Sequence, residues 1–351
     1  MKKNLIFLCL IMFSATITFA QNTLKTNYKN IDTIDATNNF YDNVESYILP
    51  AAKGIEIAGE VENPGYVDFS KLQKHSVIVK ETLLNGDKDK FVGAYRYDGY
   101  SLFDILNAFK LKKKNADVFH PIIDVYLEIE NAKGEKVVVS WGEIYYPNYH
   151  HDMIIATEVA RIVPSKTKDL WQLPTESKLV ITHDLITERN ISSPVKITVK
   201  TYPLDVKVIK DLKPNYSPSL TLYKNNKKVN EISENPKELQ NETLHTIFYG
   251  RGKGIHSTQP FTGVQLKLLI AKYAKQNQEN LRKALVVVAA VDGYRSVYTF
   301  SELMNRNDQQ EVLLLCNEET KENGKFKVFP ACDFFSDRAV KGINSIYIIA
   351  E

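Results

Sequence analysis

The stretch "FYGRGKGIH" (248–256) sets Gly250, Gly252 and Gly254 at alternate positions, with Arg251 and Lys253 between them and His256 just beyond. Side-chain-free backbone flanked by cations is what an anion cradle needs, because exposed N–H groups and positive charge then face one ligand. Tyr249, Arg251, Gly252, Lys253, Gly254 and His256 are therefore the candidate anion-binding set. The other reading of this stretch is a sharp, exposed turn. "YYPNYHHDM" (145–153) brings His150, His151 and Asp152 together, which are metal-ligand types. Adjacent residues on an extended chain point to opposite sides, so one histidine of the pair could bind while the other faces water. Tyr145, Tyr146 and Tyr149 offer the competing reading, an exposed aromatic loop for a protein partner. No Ser-His-Asp set, H-E-x-x-H or C-x-x-C supports hydrolase or thiol-redox chemistry, and no catalytic residue is assigned.

The elements that must position these residues occur twice. Residues 81–106 align without a gap on 245–270, with Gly86 on Gly250 and Leu102 on Leu266. "KGEKVVVSWGEI" (133–144) aligns on "DGYRSVYTFSEL" (292–303), and 179–199 on 328–348, with Asp184 on Asp333 and Arg189 on Arg338. Ordered matches with shrinking offsets are what loop deletions leave between related domains. The predicted unit is an opening strand near 55–61, a strand at 76–84, the glycine turn, a helix at 101–110, a hairpin over 123–140 and closing strands to 199. This is an α+β arrangement of mixed sheet with few short helices. The domain reading is 51–200 and 220–351, joined by a polar connection at 201–219. Gly86 and Gly250 are expected to serve a common turn needing positive φ or close backbone approach. Asp184–Arg189 and Asp333–Arg338 are expected to tie the closing turns as ion pairs.

Residues 1–20 read as a secretory signal: Lys2 and Lys3, an apolar centre over Leu5–Phe13, and a small-residue exit at Ala20. Without a twin-arginine pair, the expectation is Sec-type export to the periplasm or medium. A polar lead-in at 21–50 follows. Nothing later is apolar enough to predict a membrane span. With 45 basic and 42 acidic residues the net charge is +3, which argues against a nucleic-acid binder. Lys112-Lys113-Lys114 and 225–228 read as solvated basic turns. After the signal only Cys316 and Cys332 remain; in an oxidising compartment they could form one disulfide, though a simple hairpin would not set them opposite each other.

The order of motifs resembles the molybdopterin-binding domain of the sulfite oxidase family, in two divergent copies. The resemblance rests on Gly59-Glu60-Val61-Glu62-Asn63-Pro64, the aromatic-x-Gly-x-x-Leu steps Tyr97–Leu102 and Phe261–Leu266, Asp292-Gly293-Tyr294, and the Asp333–Arg338 turn before a last strand. It implies two tandem sulfite-oxidase-like domains. It also implies a cysteine on the strand entering the glycine turn, as the molybdenum ligand. The matching positions, about Thr82–Asn85 and Thr246–Tyr249, hold none. Export of an unfolded chain would also leave a cytoplasmic cofactor behind. The expectation is thus a non-catalytic exported binding or accessory protein without cofactor, taking a small anionic ligand or a protein partner. The alternatives are a molybdopterin-dependent oxidoreductase with an atypical metal site, and a structural interaction module.

Overall fold

The computed structural model describes residues 46–351 apart from 87, 165 and 318–323. The expected signal segment and most of the expected 21–50 lead-in lie outside the described residues. The chain is mostly β, with mixed sheets and a few short helices, an α+β architecture.

In the first half the strands are β1 (Tyr47–Ile48), β2 (Gly54–Gly59), β3 (Gly65–Asp68), β4 (His75–Asn85), β5 (Lys88–Ser101), β6 (Val125–Asn131), β7 (Lys136–Ser140), β8 (Met153–Arg161), β9 (Lys178–Ile181) and β10 (Pro194–Thr201). They form two sheets, β3-β2-β10-β6-β7 and β1-β8-β5-β4, with β9 on β8. The second half runs β11 (Leu220–Lys224), β12 (Lys227–Ile232), β13 (Asn241–Leu244), β14 (Phe248–Gly250), β15 (Gly254–Ser257), β16 (Phe261–Gln265), β17 (Leu285–Ala290), β18 (Arg295–Thr299), β19 (Val312–Cys316), β20 (Phe326–Pro330) and β21 (Ile343–Ile349). Its sheets follow the same orders, β12-β11-β21-β17-β18 and β13-β16-β19-β20. The repeat in sequence is therefore a repeat in topology, down to the parallel pairs β2/β10 and β11/β21.

Two features differ from the sequence expectation at the first half's edges. Tyr47 and Ile48 pair with β8, and Leu49 is buried, so the lead-in's last residues belong to the sheet. The connection after β10 is packed as well as polar: Tyr202 and Leu204 lie against Val138, Leu285 and Val287, and Val208 against Phe119 and Tyr146.

Strand patterns explain how the halves meet. On β6, Val125, Leu127 and Ile129 point into the first core while Glu128 and Glu130 face Lys136 outside. On β17 every residue is buried, because the strand is covered on both faces. Val286 and Val288 enter the second core, whereas Leu285 and Val287 meet Val138 of the first half. Val137 and Val139 divide from Val138 in the same way. Trp141 with Ile144, and Phe300 with Leu303, sit in the respective cores at the hairpin-to-helix step.

The helices are α1 (Leu102–Asn107) and α2 (Trp141–Tyr145) in the first half, and α3 (Leu266–Ile270), α4 (Gln278–Lys283) and α5 (Phe300–Met304) in the second, of which α2 and α5 form that step. Ser140/Glu143 and Thr299/Glu302 each close a capping box at the start of α2 and α5. Gly142 on α2 lies against the second half: a Cβ there would stand 2.3 Å from Arg338 Nη1. That guanidinium is fully buried and cannot swing away. Gly142→Ala should therefore destabilise the protein by about 1–3 kcal/mol through overpacking. A urea midpoint equal to wild type would refute this.

Candidate functional site

The long β4–β5 hairpin of the first half is split in the second into β13–β16 and a separate small hairpin, β14–β15, which carries the glycine run. Gly86 adopts φ +64° at the first tip. In the second copy the positive φ falls on Gly254 (+71°), not on Gly250. Gly250 instead lies against His256: a Cβ would stand 2.5 Å from its Nε2, so that exposed ring would have to shift. The expected shared turn is thus displaced, because three residues (251–253) rather than two join the second pair of strands.

This hairpin overhangs a cleft of about 330 Å³, bordered also by Asn215, Asp292, Tyr294, Asp337 and Lys341. Arg251, Lys253, His256 and Lys341 supply its basic wall. Arg251 is engaged, with Nε 2.7 Å from Asp337 Oδ2. Asp292 accepts from the Tyr294 N–H and the Asn215 amide at 2.9 and 3.4 Å, so it serves the neighbouring turn. Among the described residues neither Lys253 nor Lys341 has a carboxylate partner. Lys327, bridged through its backbone to Lys341, is held below the usual lysine range by burial and then by the Lys341 charge. Tyr249, expected in the anion set, does not line the cleft: its carbonyl accepts from Ser336 Oγ at 2.9 Å and its ring packs on Phe334 and Phe335.

The second candidate segment is divided by the fold. His151 turns toward His75 and Asp104, with Nδ1 3.0 Å from Ser101 Oγ. His150 stacks on Phe103 at 4.5 Å and, with Asp152, borders a cavity that His151 does not line. The expected His150–His151–Asp152 ligand set is therefore not assembled: the chain turns over 150–152, and His151 is directed to His75 and Asp104 while its two neighbours line a separate cavity. The aromatic loop is also less exposed than expected. Tyr145 stacks on Trp141 at 4.4 Å and Tyr146 is buried, which leaves Tyr149 outside at 74% exposure.

Asp152, His150 and Tyr149 line a cavity of about 250 Å³ between the halves, with His183, Arg306, Asp308 and Cys332. Most of its strong polar groups are engaged. His183 is 3.3 Å from Glu143, Arg306 pairs with Asp308, and the Asn307 amide donates to the Thr182 carbonyl. Burial pushes the Asp152 carboxyl up and the Cys332 thiol well up, so Cys332 is no ready nucleophile.

Beneath the cavity lies a reciprocal network that sequence reasoning read only as two local turns. Arg189 pairs with Asp184 at 2.7 Å and Glu143 at 2.8 Å; Arg338 pairs with Asp333 at 2.6 Å and with Glu302. The halves then exchange partners. Ser140 Oγ donates to Glu302 at 2.9 Å and Thr299 Oγ1 to Glu143 at 3.0 Å. Leu185 N–H donates to the Asn305 carbonyl and Phe334 N–H to that of Tyr146, both at 2.7 Å. Such i-to-j, j-to-i contacts define a two-fold-like junction. Its sequence signal was available in the paired capping boxes S-x-x-E (140–143) and T-x-x-E (299–302). The two glutamates still differ. Burial raises both, but Arg189 and His183 outweigh it at Glu143 and hold that carboxyl below its usual range. Glu302 remains raised, because burial outweighs the Arg338 guanidinium and the neighbouring Glu143 and Asp333 charges add to it.

Two further expectations are corrected. Lys113 is not solvated; its side chain is buried, 2.6 Å from Asp124. Cys316 and Cys332 are not bridged: β19 and β20 pair Cys316 with Phe326 and Val312 with Pro330, which leaves Cys332 beyond the far end of the hairpin. Among the described residues no helix is long and apolar enough to cross a membrane.

No protein-family model and no curated protein sequence matches this chain.

The residues where the sequence resemblance would place a molybdenum ligand do not suit that metal. Thr82 and Leu84 spend their backbone N–H groups on Thr187 Oγ1 and Glu188 Oε1, and the second copy offers Thr246–Tyr249 with no thiolate.

Proposed function

We propose that this chain is an exported, non-catalytic binding protein, built from two divergent domains of molybdopterin-binding type, that takes a small oxyanionic ligand under the β14–β15 hairpin. One observation carries the reading: Lys253 and Lys341 line a cleft of about 330 Å³ from two different loops, and neither is paired with a carboxylate, the cleft's Asp337 and Asp292 being engaged by Arg251 and by Tyr294 and Asn215. His256 and Arg251 add donors at the same wall. An anion there would offset the like-charge contact between Lys341 and Lys327 and accept charge-assisted hydrogen bonds worth about 1.5–3 kcal/mol each.

The test is calorimetric titration of the mature chain with inorganic phosphate and with sulfate. Binding should weaken roughly tenfold in Lys253→Glu and again in Lys341→Glu, since each removes one such bond. Both residues lie on loops outside the cores, so thermal midpoints should not move. Absent binding, or binding indifferent to both reversals, refutes the proposal. Stoichiometric molybdenum and pterin on the exported protein would overturn it in favour of an oxidoreductase with an atypical ligand set.

A further inference from the structure

His75, Asp104 and His151 come from three separate segments and meet at one place. His75 opens β4, Asp104 is in the first turn of α1, and His151 lies just before β8. The sheet order β8-β5-β4 brings these segments together, with His75 opposite Gly99 on β5 and Ser101 opposite Ile154 on β8. Ser101 caps α1 by accepting from the Asp104 N–H at 3.1 Å, which fixes where the carboxylate begins.

His75 Nε2 lies 2.7 Å from Asp104 Oδ2, and His151 Nδ1 lies 3.6 Å from the same oxygen. One ligand atom from each residue can be chosen so that all three fall within 4.8 Å of one another. Ligands at about 2.0–2.2 Å from one tetrahedral ion lie a little over 3 Å apart, so the His75–Asp104 pair must open slightly and the His151 nitrogen must adjust to meet the same ion. We propose that His75, Asp104 and His151 form a binding site for a divalent transition ion of the zinc class, its remaining position open to water or an exogenous ligand.

The arrangement of the rings says how the ion is admitted. The two imidazoles are stacked, 3.8 Å between centroids and 6° from parallel. A nitrogen lone pair lies in its own ring plane, so no ion can sit in both of these planes at once. One ring must turn. His151 is the one that can, with 43% of its side chain exposed against 17% for His75. Phe103, edge-on to His151 at 5.7 Å, walls the site on one side and separates it from His150. Two nitrogens and one carboxylate oxygen with an open side suit zinc or its borderline neighbours better than calcium or magnesium, which take all-oxygen sets.

The test uses the mature chain stripped with a chelator, then titrated with zinc chloride by calorimetry and with cobalt(II) for its ligand-field absorption. One equivalent should bind per chain. His151→Ala, and separately His75→Gln, should each weaken binding at least tenfold and alter the cobalt spectrum, while His150→Ala should change neither. His151 is exposed enough for its variant to fold, so the result does not depend on the more enclosed His75. No saturable binding to the stripped protein, equal binding in both ligand variants, or equal loss in His150→Ala would each overturn the proposal. Phosphate binding at the second-half cleft is measured on metal-free protein, so either finding can fail without the other.

Discussion

Arg338→Met is expected to cost about 3–5 kcal/mol, the cost of leaving a buried charge without its counter-ion. The guanidinium is fully buried and is shared between Asp333 and Glu302, both from its own half. Methionine fills much of the same volume but leaves Asp333 and Glu302 facing each other in low dielectric, with Glu143 of the other half close by. The damage should spread beyond the second half, because Glu302 also receives the Ser140 hydroxyl from the first. Arg189→Met should behave alike, since it strands Asp184 and Glu143. Urea unfolding followed by tryptophan fluorescence checks this, as Trp141 is buried in the first half beside the network. If Arg338→Met unfolds at the wild-type midpoint, the junction is not held by these pairs. A variant that also carries Asp333→Asn and Glu302→Gln should recover part of the loss, because the two carboxylates that Arg338 leaves behind are then neutral.

Asp124→Asn is expected to have an effect of similar size, about 3–5 kcal/mol, for the opposite reason. Asp124 is the anion between two buried cations: Lys113 Nζ at 2.6 Å and, from the second half, Arg295 Nε at 3.4 Å. Burial already holds the Lys113 ammonium below the usual lysine range, and the Asp124 charge is what opposes this. With asparagine in its place, two positive groups share one apolar setting beside the Phe119 ring, 4.9 and 4.4 Å from their charges. The lysine would then lose its proton on folding, and stability would rise with pH up to the unfolded lysine value near 10.4. Adding Lys113→Met to Asp124→Asn should restore part of the midpoint. A single variant as stable as wild type, or a double variant less stable than the single, would contradict this account.

The repeat, the strand–turn–strand units and the closing Asp/Arg turns are legible in the chain itself, because each rests on local spacing. "KGEKVVVS" and "DGYRSVYT" are both hairpin patterns that run into a capped helix, and hydrogen bonding within a few residues is enough to make them so. The basic, glycine-bearing turn at 250–254 is equally local, and it does border a cleft.

What one surface meets was decided only by the tertiary structure. Local spacing shows Arg189 reaching Asp184, but not that Thr299, over a hundred residues away in sequence, completes its shell. The run Val286-Val287-Val288 is buried on both faces only because a second domain covers the back of the sheet. Lys113 reads as a surface lysine until Asp124 and Arg295 enclose it from two halves of the chain. His151 parts from His150 and Asp152 at a turn just before β8, and its true neighbours, His75 and Asp104, arrive through strand pairing. Nearest-neighbour chemistry is written along the chain; burial and ion pairing depend on which faces are pressed together, and that is a property of the packed whole.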